Sequence, residues 1–260
     1  MSRVALLQVA SDARETPDAR IDRVLGMLAD ALPDADMVVL PELWVPGAFN
    51  LTVARDVAAP LSSPVMDRIR SLAAAASTWV HAGSFAEALP DGRIFNTAVL
   101  IGPSGDIVAT YRKRHLFGFA TGERTVISEG DALVVVETPF GTTGLATCYD
   151  LRFPEMFRDL VESGAQTFLL CSGWPTTRIE HWRVLTRARA IEDLAWVVAC
   201  NGVGSHADIT LGGHSIVVDP QGEIVAEAGN DETVLLAEVH PAAADAWRET
   251  FPVLGDRRDA

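Results

Sequence analysis

Every long apolar run in this chain lasts about as long as a buried strand and then stops. Val4–Ala10, interrupted only by Gln8, Met37–Leu40, Trp79–Phe85, Thr97–Ile101 and Ile107–Tyr111 read as strands in the first half. Leu133–Val136, Gly144–Thr147, Thr167–Cys171, Trp196–Cys200, Ser215–Asp219, Ile224–Ala226 and Val234–Val239 repeat the style in the second. Between them lie helical patterns: Ile21–Ala31, with Ile21, Val24, Leu25 and Leu28 on one face, and a stretch opened by Ser63-Pro64 that runs to about Ser77. Glu155–Ser163, stopped by Gly164, and Arg178–Glu192 complete the set. Strands alternating with helices predict an α/β fold. No run nears the roughly 18 apolar residues of a membrane span, and the N-terminus makes a poor signal peptide, so no membrane partner is expected.

An internal echo sharpens this. Val99–Ala109 and Val217–Ala226 both read as strand, proline-containing turn, strand, with Pro103 and Pro220 117 residues apart. Two similar hairpins arise often by chance; a pseudo-symmetric fold with one hairpin in each of two sheets is the stronger reading. No linker-like stretch divides the halves, so one domain is expected over residues 1–240, followed by a tail, 241–260, packed at a subunit interface.

Charge and cysteine content narrow the function. Thirty-five acidic residues against 21 Lys and Arg leave a net charge of −14, which repels nucleic acid and anionic membrane alike. Three cysteines, none in C-x-x-C, suit a reducing cytoplasm. The six histidines never fall at metal-ligand spacing, and no phosphate or dinucleotide loop is present, so neither metal nor cofactor is expected. The one basic run, Tyr111-Arg112-Lys113-Arg114-His115, places Lys113 on one strand face with Tyr111 and His115, and Arg112 and Arg114 on the other.

Three segments share a design, an apolar strand ending in a reactive side chain. Met37–Pro41 delivers Glu42, Ile107–Arg112 delivers Lys113, and Gly144–Thr147 delivers Cys148. Strand ends in α/β folds converge where ligands bind. Singly, each side chain is ordinary: a solvated glutamate, a surface lysine, a buried thiol, with Cys171 and Cys200 also closing apolar strands. Together they supply what amide hydrolysis needs, namely a thiolate to attack the carbonyl, a cation for the oxyanion and a carboxyl to move protons. Histidine is dispensable where burial raises a carboxyl pKa.

Pro41-Glu42-Leu43, Tyr111-Arg112-Lys113-Arg114-His115-Leu116-Phe117 and Cys148-Tyr149-Asp150-Leu151-Arg152-Phe153-Pro154-Glu155 resemble the motifs of the nitrilase superfamily, the carbon–nitrogen hydrolases, from Val4 to about Val239. The resemblance implies a four-layer αββα sandwich, with Cys148 as nucleophile, Glu42 as general base and acid, and Lys113 as oxyanion donor aided by the backbone N–H of Tyr149. It also implies a second glutamate, matched by Glu123, which positions Glu42 or the substrate amide. Glu129 stands where most members have proline, a departure confined to a turn.

Cys-Tyr-Asp at the nucleophile is similar to amidases rather than nitrilases. The expected reaction is release of ammonia from a small aliphatic or ω-type carboxamide through a cysteine thioester. A carbamoyl-amide hydrolase or nitrilase is the alternative of the same class, and a silent regulatory or scaffold module that of another. Trp44, Phe49, Phe119, Trp174 and His206 are the candidate substrate-binding residues, beside Tyr149. A homodimer or larger even oligomer is expected through the two helices after the nucleophile, on the strength of Met156, Phe157, Trp182 and Leu185.

Overall fold

The computed structural model describes residues 1–206 and 208–258. Its first half runs β1 (Ser2–Gln8), α1 (Pro17–Ala31), β2 (Met37–Val39), α2 (Leu51–Asp56), α3 (Pro64–Ala76), β3 (Trp79–Ala88), β4 (Ile94–Ile101) and β5 (Ile107–Arg112). The second runs β6 (Val135–Thr138), β7 (Gly141–Thr147), α4 (Pro154–Glu162), β8 (Thr167–Ser172), α5 (Ile179–Asp193), β9 (Trp196–Asn201), β10 (Val203–His206), β11 (Ile209–Gly212), β12 (Ile216–Val218) and β13 (Ile224–Glu227). The chain then returns as β14 (Thr233–Val239) and closes with α6 (Ala242–Thr250).

Two six-stranded sheets result, ordered β14-β1-β2-β3-β4-β5 and β13-β12-β9-β8-β7-β6. In each, three parallel strands carry an antiparallel pair on one side and a single antiparallel strand on the other. The two hairpins of the 117-residue echo, β4–β5 and β12–β13, occupy matching places in the two sheets. The echo extends further: Trp79 and Trp196 open the third parallel strand of each half, 117 residues apart. Left-handed Ser77 (φ 53°) and Leu194 (φ 47°) end the preceding helices at the same offset.

Side-chain alternation builds the layers. Val4 and Leu6 of β1 face the second sheet, while Ala5 and Leu7 face Val24, Leu25 and Leu28 of α1 and Met66 and Ile69 of α3. Helices α4 and α5 cover the far side of the second sheet through Phe157, Leu160 and Trp182. The architecture is the αββα sandwich. Each fully buried Leu contributes about 1.5–3 kcal/mol. Thr16 caps α1, its hydroxyl accepting from the Ala19 N–H at 3.2 Å, and Pro17 begins the helix.

Three elements depart from the pattern read in the sequence. Helix α2 is short and buries only Ala54. Strands β10 and β11 form a two-stranded ribbon with no apolar alternation long enough to announce it. The C-terminal stretch is a helix rather than a plain tail. It docks on its own chain, where Arg248 donates to the carbonyls of Leu194, Ala165 and Asp193. One supporting argument for an oligomer is corrected: Met156, Phe157 and Trp182 are buried within the chain and offer no surface. The exposed apolar side chains of α5 are Val184 and Ile191. Among the described residues, no helix is long and apolar enough to cross a membrane.

Candidate active site

Glu42 follows β2 by a sharp departure. Pro41 cannot extend the ladder, and Leu43 takes a left-handed φ of 43°. Gly83 on the neighbouring strand makes room, since a Cβ there would stand 2.1 Å from the Pro41 carbonyl oxygen. The Leu43 N–H donates to Ser84 Oγ at 3.0 Å. Glu42 is thereby turned inward and is 4 % exposed.

Lys113, just past β5, is 1 % exposed. Its ammonium donates to Glu42 Oε1 at 2.8 Å and to both Glu123 oxygens at 2.9 Å. Burial alone would lower its pKa, but Glu123 and then Glu42 outweigh it and hold the lysine well above its ordinary value. Glu123 is itself buried, which raises its pKa against the pull of Lys113. It is neither solvated nor paired with Arg124, which reaches Glu129 instead. Its Oε2 also accepts from the Phe117 N–H at 2.6 Å. Two buried carboxyl groups flank the one ammonium.

Asn96, which sequence reasoning missed, spans the same cluster. Its amide donates to Glu42 Oε1 at 2.8 Å and to Glu123 Oε1 at 3.4 Å. The remaining Glu42 oxygen accepts from the Gly173 N–H at 2.9 Å. Glu42 is held at both oxygens.

Cys148 occupies a strained turn. It leaves β7 at φ 48°, a left-handed conformation that costs a non-glycine residue on the order of 1–3 kcal/mol. Asp150 supports the turn: its Oδ2 accepts from the Thr147 N–H at 2.9 Å and from the Tyr111 hydroxyl at 2.7 Å. Its Oδ1 accepts from the His115 N–H at 3.0 Å. Tyr111 and His115 flank Lys113, so one buried carboxylate joins the lysine segment to the cysteine turn. Burial, and then Glu42, push the Cys148 thiol well above the ordinary cysteine range.

A small cavity opens onto Cys148. Phe49, Phe117, Tyr149, Arg152, Trp174, Pro175 and Arg178 wall it. The Arg178 guanidinium lies 5.2 Å from the Phe117 ring centre and that of Arg152 4.7 Å from Trp174. Among the described residues neither arginine has a carboxylate within ion-pair distance. Burial and the nearness of Arg178 lower the Arg152 pKa.

The structure thus brings together Glu42, Lys113, Glu123 and Cys148, with Phe49, Tyr149 and Trp174 at the cavity. Trp44 is a correction. Its ring packs edge-on against Phe85 and its Nε1 donates to the Ala82 carbonyl, so it belongs to the core under the first sheet. Phe119 is 79 % exposed and stands outside the cavity wall. His206 sits behind the wall, its Nε2 accepting from the Phe49 N–H at 3.4 Å. Among the described residues no three His, Cys, Asp or Glu side chains gather as a metal site.

Comparison with known proteins bears on this geometry. The family profile described as carbon-nitrogen hydrolase matches residues 3–249. A 2-oxoglutaramate amidase of Paenarthrobacter nicotinovorans is 43% identical over 262 residues, covering 98% of this chain and 89% of that protein. A 2-oxoglutaramate amidase of Bacillus subtilis is 34% identical, covering 93% and 92%. The crystal structure of Saccharomyces cerevisiae Nit3, a member of branch 10 of the nitrilase superfamily, superposes with a TM-score of 0.88 at 30% identity, covering 99% and 96%.

Proposed function

Since the chain belongs to the carbon–nitrogen hydrolase family and is an amide C–N hydrolase, we propose that it releases ammonia from a small ω-carboxamide that carries an α-keto carboxylate, of the 2-oxoglutaramate kind. One observation carries the choice. In a chain of net charge −14, two arginines that have no acidic partner among the described residues line the cavity at Cys148. A guanidinium matches a carboxylate in shape and charge, and the aromatic faces of Phe117 and Trp174 hold the two planar groups in place.

Cys148 rests as a thiol and passes its proton to Glu42 as sulfur attacks the amide carbon. The developing oxyanion takes hydrogen bonds from Lys113 and the Tyr149 N–H. Glu42 then protonates the departing nitrogen, leaving ammonia and a Cys148 thioester. A water molecule gives its proton to Glu42 and attacks the thioester, and the proton returns to sulfur when the acid leaves. Glu123 keeps Lys113 charged and ties it to the cavity wall at Phe117. The enzyme works as a homodimer joined through the exposed face of α5, and its three free thiols suit the cytoplasm.

Steady-state kinetics on 2-oxoglutaramate and on butyramide, which lacks the carboxylate, tests the substrate class. The wild type should prefer 2-oxoglutaramate. Arg178→Gln should lower kcat/KM for it by about tenfold to a hundredfold, the worth of a charge-assisted hydrogen bond, and spare butyramide. Equal losses on both substrates would refute carboxylate recognition at this wall.

A further inference from the structure

Ser172 ends β8 and is fully buried, and among the described residues its hydroxyl has no hydrogen-bond partner. A buried, unpaired hydroxyl costs desolvation free energy, so a native site that keeps one calls for a reason. Its position suggests that reason. Cys171 pairs with Thr147 across the parallel β7–β8 ladder, which sets Ser172 beside Cys148. The same dipeptide grips Glu42: the Ser172 carbonyl accepts from the Glu42 N–H at 3.3 Å, and the Gly173 N–H donates to Glu42 Oε2 at 2.9 Å.

Strand registers add a second argument. Val38 pairs with Val80 in the first sheet and Phe168 with Val197 in the second, and Val80 and Val197 are 117 residues apart. Val38 and Phe168 therefore match, and four residues on, so do Glu42 and Ser172. The two middle-strand ends, one from each sheet, both meet at the nucleophile.

Building on the proposed role of Cys148, we propose that Ser172 is a hydrogen-bond donor to Cys148 Sγ that stabilises the thiolate both as the thiol loses its proton to Glu42 and as it leaves the second tetrahedral intermediate. No bond to Ser172 forms or breaks; its proton stays on oxygen. Among the described residues, Glu42 and Lys113, with Arg152 and Arg178 at the cavity wall, are the charged groups around the sulfur. Burial and Glu42 oppose ionisation, while Lys113 and the Ser172 hydroxyl favour it. A thiol so deeply buried, with no histidine beside it, depends on such donors.

The test is the rate of Cys148 alkylation by iodoacetamide against pH, read by peptide mass spectrometry, with kcat and KM measured in parallel. Below the thiol pKa the rate follows the thiolate fraction. Ser172→Ala should displace the rate–pH line toward higher pH by about one unit, slowing alkylation about tenfold at a given pH, and lower kcat about tenfold with KM little changed. Ser172→Thr, which keeps the hydroxyl, should stay near the wild type, and Ser172→Val, its apolar isostere, should follow Ser172→Ala. That pair holds the comparison should the alanine variant fold poorly. A rate–pH line unmoved in the alanine and valine variants, whatever their kcat, would overturn the Ser172 role alone. First labelling of Cys171 or Cys200 in the wild type, with activity surviving, would instead defeat the Cys148 reading.

Discussion

The ends of β1 and β7 occupy the same place in their sheets, each the first of three parallel strands, yet they are used differently. After β1 the chain continues through Val9 and Ala10, and Gln8 spends its amide on structure. It donates to the carbonyls of Gly229 and Asp231 at 2.8 and 2.7 Å and accepts from the Ser215 N–H at 2.9 Å. After β7 the backbone turns left-handed at Cys148 and exposes a thiol to the cavity. The last hairpin strands also differ. Beyond β5 stands Lys113 inside the acidic cluster, whereas β13 ends in Glu227, paired with Arg183 and His214 toward the surface. One backbone plan, used twice, brings Glu42 and Lys113 from the first sheet and Cys148 from the second. Neither half holds a complete site.

That division predicts strong coupling across the sheets. Lys113→Gln should cost about 2.7–4 kcal/mol in kcat, the loss of one oxyanion donor. Adding Glu42→Gln should bring much less than a second full loss, because the two act in one transition state with Cys148. Single-turnover kinetics of both single variants and the double would check this, and full additivity would break the shared-site account.

A smaller effect separates the outer helices. The exposed face of α3 carries Asp67, Arg68 and Ser71, while that of α5 carries Val184, 62 % exposed, and Ile191, 51 % exposed. If copies pair through α5, light scattering should read twice the 27.9 kDa chain mass. Val184→Asp with Ile191→Asp should halve that mass while kcat stays within about twofold, since both lie away from the cavity. A wild type that scatters as a single chain would remove the asymmetry.

Strand content and the alternating layers were legible because apolar run length and side-chain period depend on local sequence. Glu42, Lys113, Glu123 and Cys148 were legible as strand ends and motif positions. Asn96 and Ser172 were not, since each closes or lies within an ordinary-looking strand and gains meaning only through register. Lys113 N–H donates to the Asn96 carbonyl at 2.9 Å, and Cys171 pairs with Thr147. Trp44 misled because nearness in sequence to Glu42 says nothing about direction: after the left-handed Leu43 the indole turns into the core. Arg178 precedes α5, and only the fold brings it beside Phe117. Helix α6 is only nine residues long and buries Ala244 alone, so its alanine-rich start reads as a tail.

The covalent role of Cys148 is the claim on which the rest depends, and added hydroxylamine tests it. A thioester forms only after the amine has left, so hydroxylamine and water compete for one species whatever the leaving group was. At fixed hydroxylamine, the ratio of hydroxamate to acid should be identical for the primary amide, an N-substituted amide and an ester of the same acyl group. A ratio that changes with the leaving group, after correction for uncatalysed aminolysis, would contradict the covalent step and leave Glu42 a simple activator of water.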